Sequence, residues 1–452
     1  MTGPKKRKIM KTTLEDISAV KKKLFIEIES QEVDKKLNEA YRDLGKRAKI
    51  PGFRPGKVPR KILEGRFGNQ VVEDVTKGLI SETFPLAVNE VETFPLGPPL
   101  LEKETLKQGQ NFKYSAVMEV RPQFEVKDYL KLDVEKEKFS VTDEDVRKQL
   151  EQIRESNGKL TSIEEQRPVK TDDYVVLDYE GFEGDSPLEG IKSPNFLLKV
   201  GSNDFHPKFE EALIGLNKES EIEIKVDFEE TYHHSKLAGK SVKFKTKITD
   251  IKEMALPDLN DEFAKNLGAE FKDLEDLKDK VRESITAQEE KRIDRDLKQR
   301  LMEKISAGVD FELPQVLVDS EVDYAVENIK QNLIRSGSNL EKAGISEEKI
   351  RKDFRPASEK RVKDMLVLGE IAKQDEIIVE EGDLTEGYKD LAATMGQDPA
   401  TLRKYYEARN LVDSLKEKLL EEKTLNYLVD HANITEVDKI EKVEDNNKKE
   451  KD

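Results

Sequence analysis

From Pro257 almost to its end, the chain combines dense charge with apolar residues at helical spacing, and this pattern most restricts its fold. One predicted helix has a single narrow apolar stripe, formed by Leu274, Leu277, Val281, Ile285, Ile293, Leu297, Leu301 and Ile305. Further helices are predicted over 314–335, 346–374, 399–409 and 411–431, with breaks at Pro314, Pro356, Gly382 and Pro399. A stripe this narrow lets a helix contact its neighbour along one edge only. We therefore expect an all-α C-terminal region of thin arms.

Composition supports an elongated, multi-domain α+β protein. Of the 452 residues 36% are hydrophobic and 38% are charged, with a net charge of −16, which suits neither a disordered chain nor one globule. The sequence has no run of 18 apolar residues, and no apolar segment follows the basic start Met1–Met10. With no cysteine, disulfides, thiol catalysis and cysteine-ligated metals are excluded. We expect a cytoplasmic protein that binds no membrane.

The N-terminal residues predict an α+β unit that ends near residue 125. Leu24, Ile26 and Ile28 alternate with more exposed positions, as in a half-buried strand. Helical spacing follows over 31–49 and again over 71–84, and a second alternating strand is predicted over 112–120.

The middle of the chain predicts a compact β module preceded by a connector. Residues 126–165 are charged and contain one short helix with a start signal at Thr142-Asp143-Glu144. From Asp173 to Lys252 the pattern favours an antiparallel sheet with one short helix over 207–214. Its predicted strands are Tyr174–Glu180, Phe196–Val200, Glu221–Phe228 and Val242–Ile251.

Positive charge is concentrated in one segment of this acidic chain. Residues 41–67 hold two acidic residues and nine basic ones, a net charge of +7; the basic residues are Arg42, Lys46, Arg47, Lys49, Arg54, Lys57, Arg60, Lys61 and Arg66. Such asymmetry indicates a surface for a polyanion. The Pro- and Gly-rich loop 50–59 presents Phe53 with basic neighbours. From the residues alone, Phe53 can equally pack inward in a tight interhelical turn.

This loop resembles the ribosome-docking signature of the trigger factor family, bacterial chaperones of nascent chains. The matching residues are Gly52-Phe53-Arg54-x-Gly56-Lys57-x-Pro59 and Arg66-Phe67-Gly68. In that family the loop touches ribosomal RNA and protein beside the exit tunnel. The resemblance implies a ribosome-binding role for Phe53, Arg54, Gly56, Lys57, Lys49 and Arg60. Pro55 stands where the family often has a basic residue, so we expect altered ribosome affinity, with Lys49 and Arg60 compensating.

The β module resembles FKBP-type prolyl isomerases. The matching segments are Val175–Gly181, Asn195–Gly201, Lys208–Glu211 and Val242–Phe244. The resemblance implies a catalytic pocket lined by Tyr179, Phe196, Leu198, Phe205, Phe209, Tyr232 and Phe244. Taken singly, each Phe fits an ordinary domain core better than a pocket, whereas the ordered set with its spacing favours the pocket. His206, Lys208 and Leu188 depart from the family pattern, which predicts weak turnover or a platform that mainly binds peptides.

The C-terminal helices complete the resemblance to the trigger factor family. Leu256–Phe263, Phe311–Glu321 and Lys360–Glu370 are similar to the family's substrate-holding domain. The resemblance implies a ribosome-binding domain at 1–125, a connector at 126–165 that belongs to the chaperone domain, and an isomerase domain at 166–254. The helical chaperone domain would span 255–435, followed by a disordered tail at 436–452.

The expected function is therefore a ribosome-associated, ATP-independent chaperone that also catalyses peptidyl-prolyl cis-trans isomerisation. The sequence contains no Walker A motif, and we expect neither a cofactor nor a metal. The expected partners are ribosomal RNA and protein near the exit tunnel and unfolded or nascent polypeptides, with a homodimer of the free protein as one option. Two alternatives stay open: an isomerase whose helices serve for oligomerisation, and an RNA-binding adaptor.

Overall fold

The computed structural model describes residues 10–53, 56–165, 167–230, 232 and 236–438. The chain divides into two compact units. Among the described residues, unit 1 comprises 10–136 and 295–437, and unit 2 comprises 137–294 and 438. No helix within the described residues combines the length and the apolar character needed to cross a membrane.

The fold is α+β, as predicted, with antiparallel sheets and a helical C-terminal region. The strands are β1 (Met10–Asp16), β2 (Lys21–Ile28), β3 (Leu100–Lys103), β4 (Phe112–Glu119), β5 (Asp133–Glu137), β6 (Lys159–Ser162), β7 (Tyr174–Glu183), β8 (Ser186–Lys199), β9 (Glu221–Asp227), β10 (Ser241–Ala255) and β11 (Asn433–Val437). The helices are α1 (Ser30–Arg47), α2 (Arg60–Glu90), α3 (Asp143–Ser156), α4 (Pro207–Glu211), α5 (Asp261–Leu267), α6 (Leu274–Ala307), α7 (Gln315–Arg335), α8 (Glu347–Gln374), α9 (Glu381–Met395), α10 (Pro399–Ala408) and α11 (Val412–Asp430).

The N-terminal part of unit 1 is an antiparallel sheet covered by two helices. Its strand order is β1-β2-β4-β3. Leu24 and Ile28 on β2 are fully buried and share one hydrophobic cluster with Leu37 of α1 and Leu79 of α2. The loop between α1 and α2, which contains the basic signature, therefore starts and ends on packed helices.

The helical part of unit 1 is held together by several small hydrophobic clusters. Leu301 of α6, Ile371 of α8 and Leu428 of α11 belong to one of them. A separate cluster contains Tyr388 and Leu415 and joins α9 to α11. Division into small clusters is what narrow apolar stripes allow, because each stripe covers only one edge of its neighbour.

Two of the predicted helix breaks are wrong. α8 continues through Pro356, and Gly382 lies in the first turn of α9. Proline removes one helical hydrogen bond, but packing of α8 against α7 offsets this loss. Arg355, the residue before Pro356, donates hydrogen bonds to Asp319 Oδ1 (3.0 Å) and Gln315 Oε1 (2.5 Å) of α7.

Short charged strands were not predicted. β5 pairs with β11, and β6 pairs with the end of β10. These strands lack the apolar alternation on which a sequence-based assignment depends, and their pairing is set by the tertiary fold. β11 includes Glu436 and Val437, the first two residues of the expected tail, while residues 439–452 lie outside the described residues.

Unit 2 contains the predicted β module and a small helical cluster. The sheet has the order β6-β10-β7-β8, and β9 pairs with the other part of β10. Its buried face forms one core with Phe209 and Leu213, which are fully buried. Beside this module, α3, α5 and the first part of α6 pack through Val146, Phe263 and Leu277.

Candidate functional site

All seven predicted pocket residues belong to one hydrophobic cluster of the β module. Phe209 of α4, Phe244 of β10 and Leu198 of β8 are completely or almost completely buried and form the base of the group. Four half-buried aromatic residues pack against this core: Tyr179, Phe196, Phe205 and Tyr232. The group thus has a buried apolar base and partly accessible aromatic rings, which is the arrangement of a pocket wall.

Phe205 is the centre of the aromatic packing. Its ring centroid lies 4.4 Å from that of Phe209 and 5.4 Å from those of Tyr179 and Phe244. Phe196 is 6.0 Å away, and most of these pairs meet edge to face. Aromatic pairs favour such geometry because the positive ring edge meets the negative face.

Tyr232 joins the group through a hydrogen bond and through a second ring pair. Its hydroxyl donates to the backbone carbonyl of Phe205 at 2.6 Å. Its ring lies 4.6 Å from that of Phe228, a buried residue that the sequence analysis did not assign to the pocket. Burial raises the pKa values of the Tyr179 and Tyr232 hydroxyls above the ordinary tyrosine value, so both stay neutral donors at physiological pH.

Of the three residues that depart from the FKBP pattern, only His206 contacts rings of this aromatic region. His206 precedes α4, and its Nδ1 accepts a hydrogen bond from the Lys208 N–H at 3.2 Å, which caps the helix. The imidazole also packs against Phe228, with centroids 5.3 Å apart. Leu188 is partly buried against the core, and Lys208 is exposed. His233 and His234 lie outside the described residues.

Glu210 is a buried residue of the site that sequence reasoning did not assign. It follows Phe209 on α4, and only 2% of it is exposed. Its carboxylate accepts hydrogen bonds from the backbone N–H groups of Gly201, Asn203 and Phe205. Only the Phe-Glu-Glu pattern of α4 pointed to this position, and that pattern does not show which of the two acids is buried.

The basic loop presents Phe53 to solvent. The Phe53 side chain exposes 39% of its area, whereas Ile50 is buried and Val58 is partly buried against the N-terminal core. Gly52 and Gly56 adopt φ values of +91° and +84°, which favour glycine. The ends of the loop are therefore anchored and its turns are glycine-dependent, while the aromatic ring stays accessible. Arg54 and Pro55 lie outside the described residues.

Among the described residues, most basic side chains around this loop have no acidic partner. The two acids of the segment are neutralised locally, Asp43 by Lys46 at 2.8 Å and Glu64 by Arg60 at 2.6 Å. Lys46 holds the pKa of the Asp43 carboxyl below its usual value. Six exposed residues form no ion pair within the described part of the chain: Arg42, Arg47, Lys49, Lys57, Lys61 and Arg66.

Arg60 is placed differently from the other predicted ribosome-binding residues. Besides Glu64, its guanidinium donates to Asn38 Oδ1 and to Gln108 Oε1, the latter at 3.0 Å. It also lies over the ring of Tyr41, 4.9 Å from the centroid. The internal contacts of Arg60 join the start of α2 to α1 and to the β3–β4 turn. Gly56 and Lys57 are exposed on the loop itself, and Lys49 is exposed immediately before it.

The helices of unit 1 carry large apolar side chains on a charged surface. Four of them, on the C-terminal helices, expose more than half of their area: Tyr324, Ile334, Met395 and Tyr405. Ile378, in the loop between α8 and α9, is exposed to a similar extent. Charged residues surround them, as the Arg351–Asp323 pair (2.6 Å) beside Tyr324 illustrates. Scattered apolar groups on a charged background suit weak contacts with many different unfolded segments.

Three family models match this chain. The model described as bacterial trigger factor protein matches residues 10–153, and the model of the trigger factor C-terminus matches residues 273–430. The model of FKBP-type peptidyl-prolyl cis-trans isomerases matches residues 165–249, which include the whole aromatic group.

Full-length relatives show the same similarity. The chain is 38% identical to the trigger factor of Syntrophotalea carbinolica over 431 residues, which cover 95% of this chain and 98% of the relative. It is 37% identical to the trigger factor of Geotalea daltonii over 433 residues, which cover 96% of this chain and 99% of the relative. A solved structure of the trigger factor chaperone superposes on 92% of this chain and 99% of its own, at 21% identity and a TM-score of 0.47.

Proposed function

The chain belongs to the trigger factor family of chaperones and carries an FKBP-type domain, and from this premise we propose three linked activities. It docks on the ribosome near the exit tunnel through the basic loop. It holds unfolded and nascent polypeptides without ATP, and it catalyses peptidyl-prolyl isomerisation. We assign docking to residues 1–125, isomerisation to 166–254, and holding to 255–435 together with the connector 126–165.

The observation that carries the isomerase proposal is the convergence of Tyr179, Phe196, Phe205 and Tyr232 over a buried base. Rotation about an Xaa-Pro bond must pass a barrier of about 18–20 kcal/mol, which amide resonance creates. The planar amide is more charge-separated than the twisted one. An apolar pocket therefore stabilises the twisted transition state relative to the ground state, and no nucleophile is required.

An exchange of one pocket aromatic tests this proposal against a matched control. Phe196→Leu shortens a wall of the pocket, whereas Phe182→Leu alters an aromatic of neighbouring β7 that packs under Lys245, 4.9 Å from its centroid. With a proline-containing peptide, we expect kcat/KM to fall about tenfold in Phe196→Leu, since loss of about 1.4 kcal/mol of transition-state stabilisation gives that factor. Phe182→Leu should stay within twofold of wild type. Equal kcat/KM values for Phe196→Leu and the wild type would show that the pocket assignment is wrong.

Ribosome docking is supported by an exposed aromatic near basic residues that form no ion pair with other described residues. Phe53 can enter an apolar crevice or stack on a base, while Lys49 and Lys57 can contact phosphates. Arg54 and Gly56 belong to the same loop by sequence. We assign Arg60 the task of holding the base of the loop, because its guanidinium already has several internal partners.

Holding of unfolded chains is supported by the exposed apolar side chains of the unit 1 helices. Such a surface binds through many weak contacts and releases its client without an energy source, and the sequence has no Walker A motif for ATP. The same side chains favour a second candidate, in which the helices associate with another copy and isomerisation is the main task. Aggregation of an unfolded client separates the two, because only a holding surface suppresses aggregation in proportion to chaperone concentration.

A further inference from the structure

A buried carboxylate organises the loop that carries Phe205 into the aromatic pocket. Glu210 Oε2 accepts the N–H groups of Gly201 at 2.9 Å and Asn203 at 3.0 Å, and Oε1 accepts the N–H of Phe205 at 3.1 Å. Gly201 and Asn203 adopt φ values of +95° and +61°. Asn203 thus occupies a backbone conformation that costs energy for a residue with a side chain.

The chemistry of this contact requires a carboxylate. An ionised carboxylate only accepts hydrogen bonds and offers about four lone-pair sites, so one side chain can satisfy three converging N–H groups. Hydrogen bonds to a charged acceptor are also stronger than neutral ones. A glutamine of the same shape would direct an NH₂ donor at one or more of these N–H groups, which would separate that part of the loop from α4.

The opposite side of the same peptide is held by Tyr232. Its hydroxyl donates to the Phe205 carbonyl at 2.6 Å, while Glu210 holds the Phe205 N–H. The Tyr232 ring is itself fixed against Phe228. Both backbone polar groups of Phe205 therefore have side-chain partners, one from α4 and one from the segment that precedes β10.

We propose that Glu210 and Tyr232 are positioning residues that jointly fix the backbone of Phe205 and so aim its ring into the peptide pocket. Phe205 contacts four other pocket rings, so a shift of its backbone would disturb the whole wall. A pocket that stabilises a twisted amide must keep its geometry in the transition state, and a loosened wall lowers kcat more than it raises KM. This inference rests on the isomerase activity proposed above.

The test uses the full chain with Glu210→Gln, Tyr232→Phe, the double variant, and Glu211→Gln as the control. Glu211 is the exposed neighbour of Glu210 on α4, so its exchange makes the same chemical change outside the pocket. Two quantities are measured: amide hydrogen exchange at Gly201, Asn203 and Phe205, and kcat and KM with a proline-containing peptide. Tyr232→Phe keeps the ring and provides a second, milder perturbation if Glu210→Gln fails to fold.

In Glu210→Gln, exchange at the three amides should become about 10- to 100-fold faster, because each hydrogen bond to a charged group contributes about 1.5–3 kcal/mol. kcat should fall about tenfold with KM changed less than threefold. Tyr232→Phe should lower kcat about threefold, and the double variant should lose less than the product of both effects, since both residues act on one peptide. Glu211→Gln should match wild type.

Wild-type kcat in both Glu210→Gln and Tyr232→Phe would overturn the positioning role even if the amides exchange faster. If the wild-type chain itself does not turn over the peptide, the proposed isomerase function fails instead. The inference is then decided by exchange alone: acceleration confined to the three amides supports the clamp, and unchanged exchange at Phe205 overturns it.

Discussion

Removal of two loop charges should change the salt dependence of ribosome binding by a calculable amount. The perturbation is Lys49→Gln with Lys57→Gln. Both lysines are exposed on or beside the loop and form no ion pair within the described residues. Glutamine keeps most of the side-chain length and polarity, so the fold should be unaffected and only the positive charge is lost.

The magnitude follows from counterion release. Each phosphate neutralised by a protein cation contributes about −0.9 to the slope of log K against log salt concentration. Contact of all six unpaired basic residues with phosphate would give a slope of about −5. In the double variant the magnitude of this slope should be smaller by about 1.8. At 0.15 M salt this corresponds to about 30-fold weaker binding, or about 2 kcal/mol.

The assay is co-sedimentation with ribosomes between about 0.05 and 0.3 M salt, a range over which phosphate contacts strongly change affinity. The control is Lys11→Gln, which removes one charge from an exposed position on β1 and should leave the slope unchanged. If the double variant lost affinity but kept the wild-type slope, the two lysines would not contact phosphate. An unchanged affinity would refute the proposed docking surface around them.

Three further predictions concern single side chains. Arg60→Gln should lower the melting temperature by a few degrees, because the internal hydrogen bonds of Arg60 to Glu64 and its other partners are lost. In co-sedimentation, the salt dependence of ribosome binding should change less in Arg60→Gln than in Lys57→Gln. Asp173 is buried, which opposes ionisation, yet hydrogen bonds from Arg167 (2.6 and 2.9 Å) and the Lys170 N–H lower its pKa. The lowered pKa stabilises the folded protein above about pH 4, and this stabilisation is lost as the pH falls through the pKa of the folded state. The melting temperature, measured at a series of acidic pH values, should therefore fall less in Asp173→Asn than in the wild type. The Thr246 hydroxyl is buried with no hydrogen-bond partner among the described residues, so Thr246→Val should raise the free energy of unfolding by about 1 kcal/mol. The Thr249 hydroxyl donates to a carbonyl at 2.9 Å, so the control Thr249→Val should lower the free energy of unfolding.

The resemblance to FKBP-type isomerases was needed to group the predicted pocket residues, and regular structure accounts for only part of their spacing. Phe196 and Leu198 are two positions apart on one strand and so share a face, and Phe209 follows a helix start. Glu210 was missed because its partners are backbone N–H groups of a loop. Such partners leave no residue-type signature, and only the three-dimensional path of residues 201–205 shows that they converge.

The role of Arg60 shows the corresponding difficulty for charge patterns. A count of basic residues over 41–67 treats every cation as equal. In the folded protein Lys46 and Arg60 have acidic partners, whereas Lys49 and Lys57 have none within the described residues. Pairing of this kind depends on helix register and on the β3–β4 turn, so it cannot be read from composition. Pro356 was misjudged for a similar reason, since packing of α8 against α7 offsets its local cost.

Docking through the loop and holding of unfolded chains are tested together by the protection of ribosome-bound nascent chains from aggregation. We compare the wild-type chain with Phe53→Ala combined with Lys57→Ala, using one aggregation-prone client either released from denaturant or emerging from ribosomes, with no added nucleotide. We predict that both proteins suppress aggregation of the released client equally and that only the wild type, at the same concentration, protects the ribosome-bound chains. Equal protection of ribosome-bound chains by the variant would contradict docking through the loop, and failure of both proteins with the released client would contradict a holding function.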